Sequence, residues 1–229
     1  MKKKAIILLS GGLDSTTCAA IAKYQGFDLI GLTVNYGQNH AFELEASKKV
    51  ANHYGIDEHS IIDIDLAQFG GSALTSNKIK IPRGRKISEM NDIPATYVPA
   101  RNTIFLSIAL AKAETVNSFD IFIGVNAIDY SGYPDCRSVF ISEFEKLANL
   151  ATKEAVQNKG SYKIHTPLIT LSKAEIIKKG ISLKVDYSIT SSCYKPNEHG
   201  NPCGFCDACI LRKKGFENAG LKDPLDYQL

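Results

Sequence analysis

Residues 10–16 read Ser-Gly-Gly-Leu-Asp-Ser-Thr. They follow a predicted strand at residues 4–9, which contains an apolar run at residues 5–9, and they lead into a helical pattern at residues 13–25. The apolar run is typical of a strand buried on both faces of a parallel sheet. Glycines let backbone amides approach a phosphate, and a helix N-terminus adds unpaired donors and its dipole. The segment therefore predicts a phosphate-binding loop, with a plain strand-to-helix turn as the alternative.

Asp14 gives this loop a second property, because a carboxylate repels phosphate unless a cation lies between them. Asp14 is therefore a candidate Mg²⁺ ligand. The loop contains no lysine and lacks the spacing G-x-x-x-x-G-K-[ST], so it is not the P-loop of kinases and GTPases.

The rest of the chain alternates between predicted strands and predicted helices. Further strands are expected at residues 29–35, 60–64 and 121–125, and helices at residues 41–54, 102–114 and 138–157. Another helix begins at Ser172, where Ser172 and Glu175 form a capping box, and Gly180 is expected to end it. This alternation predicts an α/β fold with a parallel sheet.

Residues 67–96 interrupt the alternation with glycines, prolines and a polar, basic middle. Long segments of this kind inside a compact domain are usually functional lids or disordered loops. We therefore predict a flexible loop here, and we expect it to close over a ligand.

The composition restricts the class of protein. The chain has 229 residues, of which 44% are hydrophobic and 22% charged, and its formal net charge is +3. These values are typical of one globular domain with a small appendage and exclude wholesale disorder. A membrane span needs about 20 apolar residues, and no early run approaches that length. We expect a soluble cytoplasmic protein with no membrane partner and no stable nucleic-acid partner.

Four of the six cysteines lie close together near the C-terminus in the pattern C-x₉-C-x₂-C-x₂-C. Four thiolates are the ligand set of a closed, tetrahedral zinc site. An iron–sulfur cluster is the alternative, but the chain lacks a C-x₃-C-P continuation. We predict one structural zinc ion in a small helical subdomain at residues 186–229, which follows a larger domain at residues 1–185. The predicted ligands are Cys193, Cys203, Cys206 and Cys209.

A polar string follows the predicted strand at residues 121–125, where α/β proteins bind ligands. Tyr133 offers a flat ring for stacking, Asp135 accepts the paired donors of a guanine-like edge, and Arg137 suits a carboxylate. An ordinary surface turn is the alternative. Upstream, Arg101 at the start of a predicted helix is a candidate phosphate ligand.

The motif Ser-Gly-Gly-x-Asp-Ser resembles the signature of the PP-loop ATP pyrophosphatases, which bind ATP in this loop and adenylate a substrate oxygen. Within that superfamily the chain is similar to the 7-cyano-7-deazaguanine synthase family over residues 8–212. The similarity rests on residues 10–18, on Arg101-Asn102, on the string Tyr-Ser-Gly-Tyr-Pro-Asp-Cys-Arg that ends at Arg137, and on the four clustered cysteines. One departure is Ala100, where the family often has glycine.

The resemblance implies a five-stranded parallel sheet with helices on both faces, of the adenine nucleotide alpha hydrolase type. It also implies a ligase that forms carbon–nitrogen bonds in queuosine precursor biosynthesis. The implied reaction converts 7-carboxy-7-deazaguanine and ammonia into 7-cyano-7-deazaguanine through intermediates adenylated by ATP. Residues 1–185 would be the PP-loop synthetase domain. A chain of this length has no room for a glutaminase domain as well, so free ammonia or a partner would supply nitrogen.

The resemblance implies three groups of functional residues. ATP is assigned to the loop and its flanks, namely Leu8, Leu9, Ser10, Gly11, Gly12, Leu13, Asp14, Ser15, Thr16, Thr17 and Cys18. Catalysis is assigned to Asp14, together with Mg²⁺, and to Arg101. The heterocyclic acid is assigned to Asn102, Asp129, Tyr133, Asp135 and Arg137.

Two other functions stay open at this point. A PP-loop tRNA thiolase needs a sulfur-carrying thiol, and only Cys18 and Cys136 are left for that task once four cysteines bind zinc. A zinc-stabilised nucleotide-binding module would bind ATP without turnover. A homodimer is the default oligomer of a small cytoplasmic enzyme.

Overall fold

Five parallel strands form the centre of the molecule. The computed structural model describes residues 2–39, 41–90, 92–128 and 132–228. The strands are β1 (Lys4–Leu8), β2 (Asp28–Asn35), β3 (His59–Asp63), β4 (Asp120–Phe122) and β5 (Lys163–His165). Their order across the sheet is β3-β2-β1-β4-β5, and every adjacent pair is parallel. The predicted five-stranded parallel sheet is confirmed.

Seven α-helices connect and follow these strands within the described residues. They are α1 (Leu13–Tyr24), α2 (Phe42–His53), α3 (Arg101–Thr115), α4 (Ser138–Ala151), α5 (Lys153–Val156), α6 (Lys173–Ser182) and α7 (Asp207–Ala219). Short 3₁₀ turns lie at Leu66–Phe69, Ile87–Glu89, Pro134–Cys136 and Tyr187–Ile189.

Alternate residues of β1 pack on opposite faces of the sheet, as expected of a strand between two helical layers. Ile7 belongs to a core cluster with apolar residues of α1, α2, α6 and α7. Ile6 and Leu8 belong to a second cluster with residues of α3 and α4. Helices therefore cover both faces, which confirms the predicted layer order.

Two helices end at other residues than the sequence predicts. The single helix expected at residues 138–157 is broken at Thr152, whose extended backbone has φ −108° and ψ 145°. The Thr152 hydroxyl donates to the Ala148 carbonyl and thereby satisfies an acceptor at the end of α4. Gly180 does not end α6, which continues to Ser182. A Cβ at Gly180 would lie 1.8 Å from the Tyr187 Oη, so close packing requires this glycine.

Residues 67–90 and 92–96 are mostly irregular and lie against the body of the protein. The Ala73 amide donates to the Ala95 carbonyl, and Leu74 packs in a small apolar cluster with Tyr36 and Val98. Near its centre the segment is tied down by Arg85, which forms a two-pronged ion pair with the Asp207 carboxylate at the start of α7. The flexibility expected of this segment stays a prediction.

No helix among the described residues combines the length and the apolar composition needed to cross a bilayer.

Candidate active site

The candidate site lies where the strand order reverses, between β1 and β4. Chain connections leave these two neighbouring strands in opposite directions, which opens a crevice at their carboxyl ends. The loop at residues 9–12 follows β1, and Gly124 follows β4. A Cβ on Gly124 would lie 2.9 Å from the Ser15 amide nitrogen, so glycine lets the start of α1 cross the end of β4.

The loop after β1 has the conformation expected of an anion-binding turn. Gly11 adopts φ +74°, and a Cβ there would lie 2.4 Å from the Ser47 nitrogen of α2. Hydroxyl groups stabilise the turn, because Ser10 and Ser15 lie 3.0 Å apart and Thr16 donates to the Gly12 carbonyl at 2.8 Å. The N-cap residue of α1 is Gly12, which has no side chain to accept from the amides of the first turn. The dipole of α1 is therefore available to a bound anion.

A distant segment of the chain holds this loop in place. The Ser191 amide donates to the Gly11 carbonyl at 2.9 Å, and the Leu13 amide donates to the Ser192 hydroxyl at 3.3 Å. The serines come just before Cys193, so the cysteine-containing region is connected directly to the loop.

Lys173 brings a positive charge to the loop from α6. Its Nζ lies 2.8 Å from both carboxylate oxygens of Asp14, and its side chain is only 7% exposed. The loop therefore has a lysine, although that lysine comes from 159 residues further along the chain. Sequence reasoning assigned Lys173 no role in the site, although this residue lies in the predicted capping-box segment Ser172–Glu175, which is present.

A cavity of about 220 Å³ opens beside the loop. Its walls come from the loop, from the carboxyl ends of β2 and β4, from the starts of α2 and α3, and from residues 191–194. Of the predicted ATP residues, those that line the cavity are Leu8, Leu9, Ser10, Gly12, Leu13, Asp14 and Ser15. The other four, Gly11, Thr16, Thr17 and Cys18, are buried behind it. Tyr36, Glu43 and Tyr194 also line the cavity, and sequence reasoning assigned them no role.

Arg101 begins α3 and faces this cavity. The preceding residue, Ala100, has a left-handed backbone with φ 55° and ψ 19°, a conformation that favours glycine. The Arg101 guanidinium lies 5.9 Å from the centre of the Tyr36 ring, where a cation interacts favourably with the ring face.

Asp135 makes a structural contact with the start of α3. Its Oδ2 accepts the Asn102 amide hydrogen at 3.0 Å, so it caps the first turn of α3. The Asn102 side chain donates in return to the Asp135 carbonyl, and it lines the cavity. Asp135 itself is only 5% exposed and lies behind the cavity wall. The other Asp135 oxygen, Oδ1, is buried with no hydrogen-bond partner among the described residues.

The remaining predicted substrate residues lie in different places. Tyr133 lines the cavity, and its hydroxyl bonds with the Thr96 hydroxyl at 2.9 Å. Arg137 is exposed, outside the cavity wall, and donates to the Pro134 carbonyl at 3.0 Å. Asp129 lies outside the residues that the structure describes.

Glu43 is the second acidic side chain of the cavity, in the first turn of α2. A helix N-terminus normally lowers the pKa of a carboxyl group. Burial nevertheless raises the pKa of Glu43 to about 7, against the opposing effect of the Arg101 guanidinium.

The four C-terminal cysteines form a compact cluster. All four are buried, and their sulfur atoms lie within 4.8 Å of one another. Backbone amides donate to the sulfurs, including those of Cys203 and Lys195 to Cys193 at 3.2 and 3.3 Å. Such bonds stabilise thiolates, and four thiolates at this spacing fit a tetrahedral zinc ion. Ala208, beside Cys209, lines the cavity, so the cluster supports one wall of the site.

The other two thiols are buried outside that cluster. Burial raises the pKa of Cys136 to about 12 and raises the pKa of Cys18 above its usual range. The Cys136 sulfur accepts a bond from the Asn102 side chain at 3.4 Å. Both groups are therefore protonated at neutral pH and are poor nucleophiles.

One family model and several known proteins are similar to this chain over nearly its whole length. The family described as "Queuosine biosynthesis protein QueC" matches residues 4–220. A protein of Citrifermentans bemidjiense named 7-cyano-7-deazaguanine synthase is 61% identical over 228 residues, which cover 100% of this chain and 99% of the relative. A protein of the same name from Syntrophotalea carbinolica is 58% identical over 227 residues, covering 99% of this chain and 97% of the relative.

A more distant likeness is seen among solved structures. The structure of NMN synthetase from Francisella tularensis matches with a TM-score of 0.51 and 18% sequence identity. The match covers 96% of this chain and 78% of that protein. At this level of identity the likeness concerns the fold alone.

Proposed function

Because the chain belongs to the QueC family, we propose that it converts 7-carboxy-7-deazaguanine and ammonia into 7-cyano-7-deazaguanine with consumption of ATP. The observation that carries this proposal is the family match over residues 4–220. The loop at residues 9–12 lines a cavity at the carboxyl ends of the strands, where a substrate could bind. This reaction makes the protein a ligase that forms carbon–nitrogen bonds in the biosynthesis of the queuosine precursor.

The reaction removes two oxygens from one carbon, and each oxygen needs activation. A carboxylate oxygen attacks the α-phosphorus of ATP, pyrophosphate leaves, and the carboxyl carbon becomes an acyl adenylate. Ammonia attacks that carbon, the C–O bond breaks, and AMP takes the electron pair. The amide oxygen is adenylated in the same manner, and the nitrogen loses its protons as AMP leaves and the nitrile forms. One site serves both halves because both need the same positioning and charge stabilisation.

The phosphate groups would be held by the loop, by Lys173 and by Arg101. The start of α1, where the N-cap residue Gly12 has no side chain, provides backbone donors and a favourable dipole, and Ser10 and Ser15 add hydroxyls. Lys173 and Arg101 are the cations that would offset charge on the departing pyrophosphate. We assign Mg²⁺ to Asp14, whose carboxylate faces the cavity and is of the oxygen type that this ion prefers. A Mg²⁺ ion held there would supply further neutralisation of the phosphate charge.

The deazaguanine acid would lie between the N-terminus of α3 and the turn at residues 133–136. Tyr133 and Asn102 line that part of the cavity and provide a ring and an amide. Asp135 acts by holding the N-terminus of α3, through the bond to the Asn102 amide, and so positions Arg101. Asp129 and Arg137 remain proposed ligands of the acid.

The zinc ion would stabilise the C-terminal region, and we keep the division into residues 1–185 and 186–229 as part of this proposal. The four sulfurs would fill a tetrahedral zinc site and would leave no open position for substrate. Metal binding there contributes to folding of a region that holds the phosphate loop through Ser191 and Ser192. The cytoplasmic location and the homodimer stay predictions.

The thiolase alternative has less support. A sulfur carrier needs an accessible thiol of low pKa, and burial raises the pKa of both Cys18 and Cys136. The non-catalytic alternative predicts binding of ATP without turnover.

A turnover assay tests the proposed function. Purified protein is incubated with Mg-ATP, ammonium and 7-carboxy-7-deazaguanine, and the heterocycle and the nucleotide are followed by mass spectrometry. We expect the nitrile to appear together with AMP. A Ser15→Ala variant is the loop control, and Glu198→Gln, at an exposed position, is the surface control. Zinc-loaded wild-type protein that yields neither the nitrile nor AMP would contradict the proposal.

A further inference from the structure

The adenylation chemistry leaves the Glu43 carboxyl of the cavity without a task. Glu43 lies on α2 and lines the same cavity as Ser10 of the phosphate loop and Arg101 of α3. Its side chain is half-buried, and no hydrogen bond or close ion pair engages its carboxylate within the described parts of the chain. A carboxylate in such a place costs free energy, because burial removes water from the charge.

The other ionisable groups around the cavity are poorly suited to accept a proton near neutral pH. Asp14 is held by Lys173 through both of its oxygens. The pKa values of Tyr36, Tyr133 and Cys136 are all raised, chiefly by burial, so these groups stay protonated. Tyr194 and the always-charged Arg101 complete the set of ionisable groups that line the cavity among the described residues. Glu43 alone combines access to the cavity with a pKa of about 7.

The nitrogen source needs such a group. In water near neutral pH, ammonia is present almost entirely as ammonium, which has no lone pair for attack. A general base works best when its pKa lies near the working pH. A carboxylate is in addition a natural ligand for a small cation, through charge-assisted hydrogen bonds.

We propose that Glu43 is the ammonium-binding residue of the site and the general base that releases ammonia for attack on the acyl adenylate. A proton passes from nitrogen to a carboxylate oxygen of Glu43. The nitrogen lone pair then forms the C–N bond, and the C–O bond to AMP breaks with its electrons on the phosphate oxygen. The nitrogen, positively charged after the attack, loses a second proton to water, which leaves the neutral amide. This inference rests on the proposed function and names the group that handles its second substrate.

The test separates adenylation from nitrogen transfer. Substrate-dependent exchange of labelled pyrophosphate into ATP reports the first half-reaction, which needs no ammonia. Nitrile formation at varied ammonium concentration reports the second. Hydroxylamine is an uncharged nucleophile at neutral pH, so its capture of the acyl adenylate as a hydroxamate bypasses the base. The matched control is Glu45→Gln, an exposed residue in the same helical turn that pairs with Lys48.

For Glu43→Gln we expect exchange and hydroxamate formation within about twofold of wild type. Nitrile formation from ammonium falls by about 100-fold at pH 7, within the usual range for a lost general base. In the wild type, kcat/KM for ammonium rises as the pH increases through about 7, because Glu43 loses its proton there. That inflection disappears in the variant, while Glu45→Gln retains the wild-type rate and profile.

Two results would overturn the inference while leaving the proposed function intact. Equal loss of exchange and of nitrile formation in Glu43→Gln would place this residue in the ATP site. An unchanged ammonium dependence and pH profile would show that Glu43 has no part in nitrogen transfer. A wild-type protein without exchange and without nitrile would instead contradict the proposed function itself, and this inference with it.

Discussion

Replacing Gly180 with alanine sets two physical effects against each other, and the structure decides the sign. In a helix interior, Gly→Ala is stabilising by about 1 kcal/mol from propensity alone. Gly180 lies inside α6, so that gain applies. However, the new Cβ would lie 1.8 Å from the Tyr187 Oη and 2.7 Å from its Cζ. Tyr187 is only 2% exposed, so its ring has little room to retreat.

The cost follows from the hydrogen bonds of that hydroxyl. The Tyr187 Oη bonds with the Thr17 hydroxyl at 2.8 Å and donates to the Ile176 carbonyl at 3.3 Å. Moving the ring by about 1 Å breaks both, and each buried polar group left unpaired costs about 1–3 kcal/mol. Added strain from overpacking is of similar size. We expect Gly180→Ala to lower the free energy of unfolding by about 2–4 kcal/mol after the propensity gain.

Thermal and urea unfolding of zinc-loaded protein measure this effect. For a chain of this size, about 1 kcal/mol corresponds to about 2–4 °C in Tm, so a fall of about 4–16 °C is expected. Tyr187→Phe removes the clashing oxygen, while Thr17 keeps its bond to the Leu13 carbonyl at 2.8 Å. The double variant should therefore lose less than the sum of the single variants. A Gly180→Ala variant that melts above the wild type would refute the packing argument.

Four further predictions concern the site and its supports. Lys173→Met should lower the free energy of unfolding by about 2–3 kcal/mol and should abolish pyrophosphate exchange. The loss of stability is less than the full cost of a broken buried pair because Asp14 borders the cavity. Adding Asp14→Asn to the Lys173→Met protein should restore part of the stability, as unfolding curves of the wild type, the two single variants and the double variant will show. Removal of zinc with a chelator should lower Tm strongly, and rebinding of zinc to the cysteines should release protons. An unchanged melting curve after zinc removal would count against the zinc site. Ala100→Gly should raise stability by about 0.5–1 kcal/mol, since relief of a left-handed alanine exceeds the entropic cost of glycine, and a destabilised variant would be contrary to the observed backbone. Arg85→Met should speed proteolysis within residues 67–96 by removing the pair with Asp207, and protection by ATP and substrate is expected if this segment closes over them.

Local patterns were sufficient to predict most of the fold. The strand Lys4–Leu8 is apolar from its second residue onward because helices cover both faces of the sheet, and that run is visible without any partner. The loop at residues 10–16 and the four cysteines are contiguous in sequence, so their chemistry could be inferred directly. β5 was missed because three residues are too few to show a period.

Other features depend on contacts between distant parts of the chain. The ion pair between Asp14 and Lys173 joins residues 159 positions apart, and nothing in either local segment indicates it. Gly180 resembled a helix end because lysines precede it, but Tyr187 determines its role. Nothing in the local sequence distinguishes Glu43 from other acidic residues near a helix start. Its raised pKa depends on burial that only the folded chain creates.

Transfer of oxygen from the carboxylate to AMP tests the central claim most directly. 7-Carboxy-7-deazaguanine labelled with ¹⁸O in both carboxylate oxygens is converted with unlabelled ATP and ammonium, and the AMP is analysed by mass spectrometry. If both oxygens leave through adenylation, each AMP formed during turnover carries one ¹⁸O in its phosphate, and two AMP molecules form for every nitrile. Nitrile that forms with unlabelled AMP, or with the label released into water, would contradict adenylation of the substrate at this site.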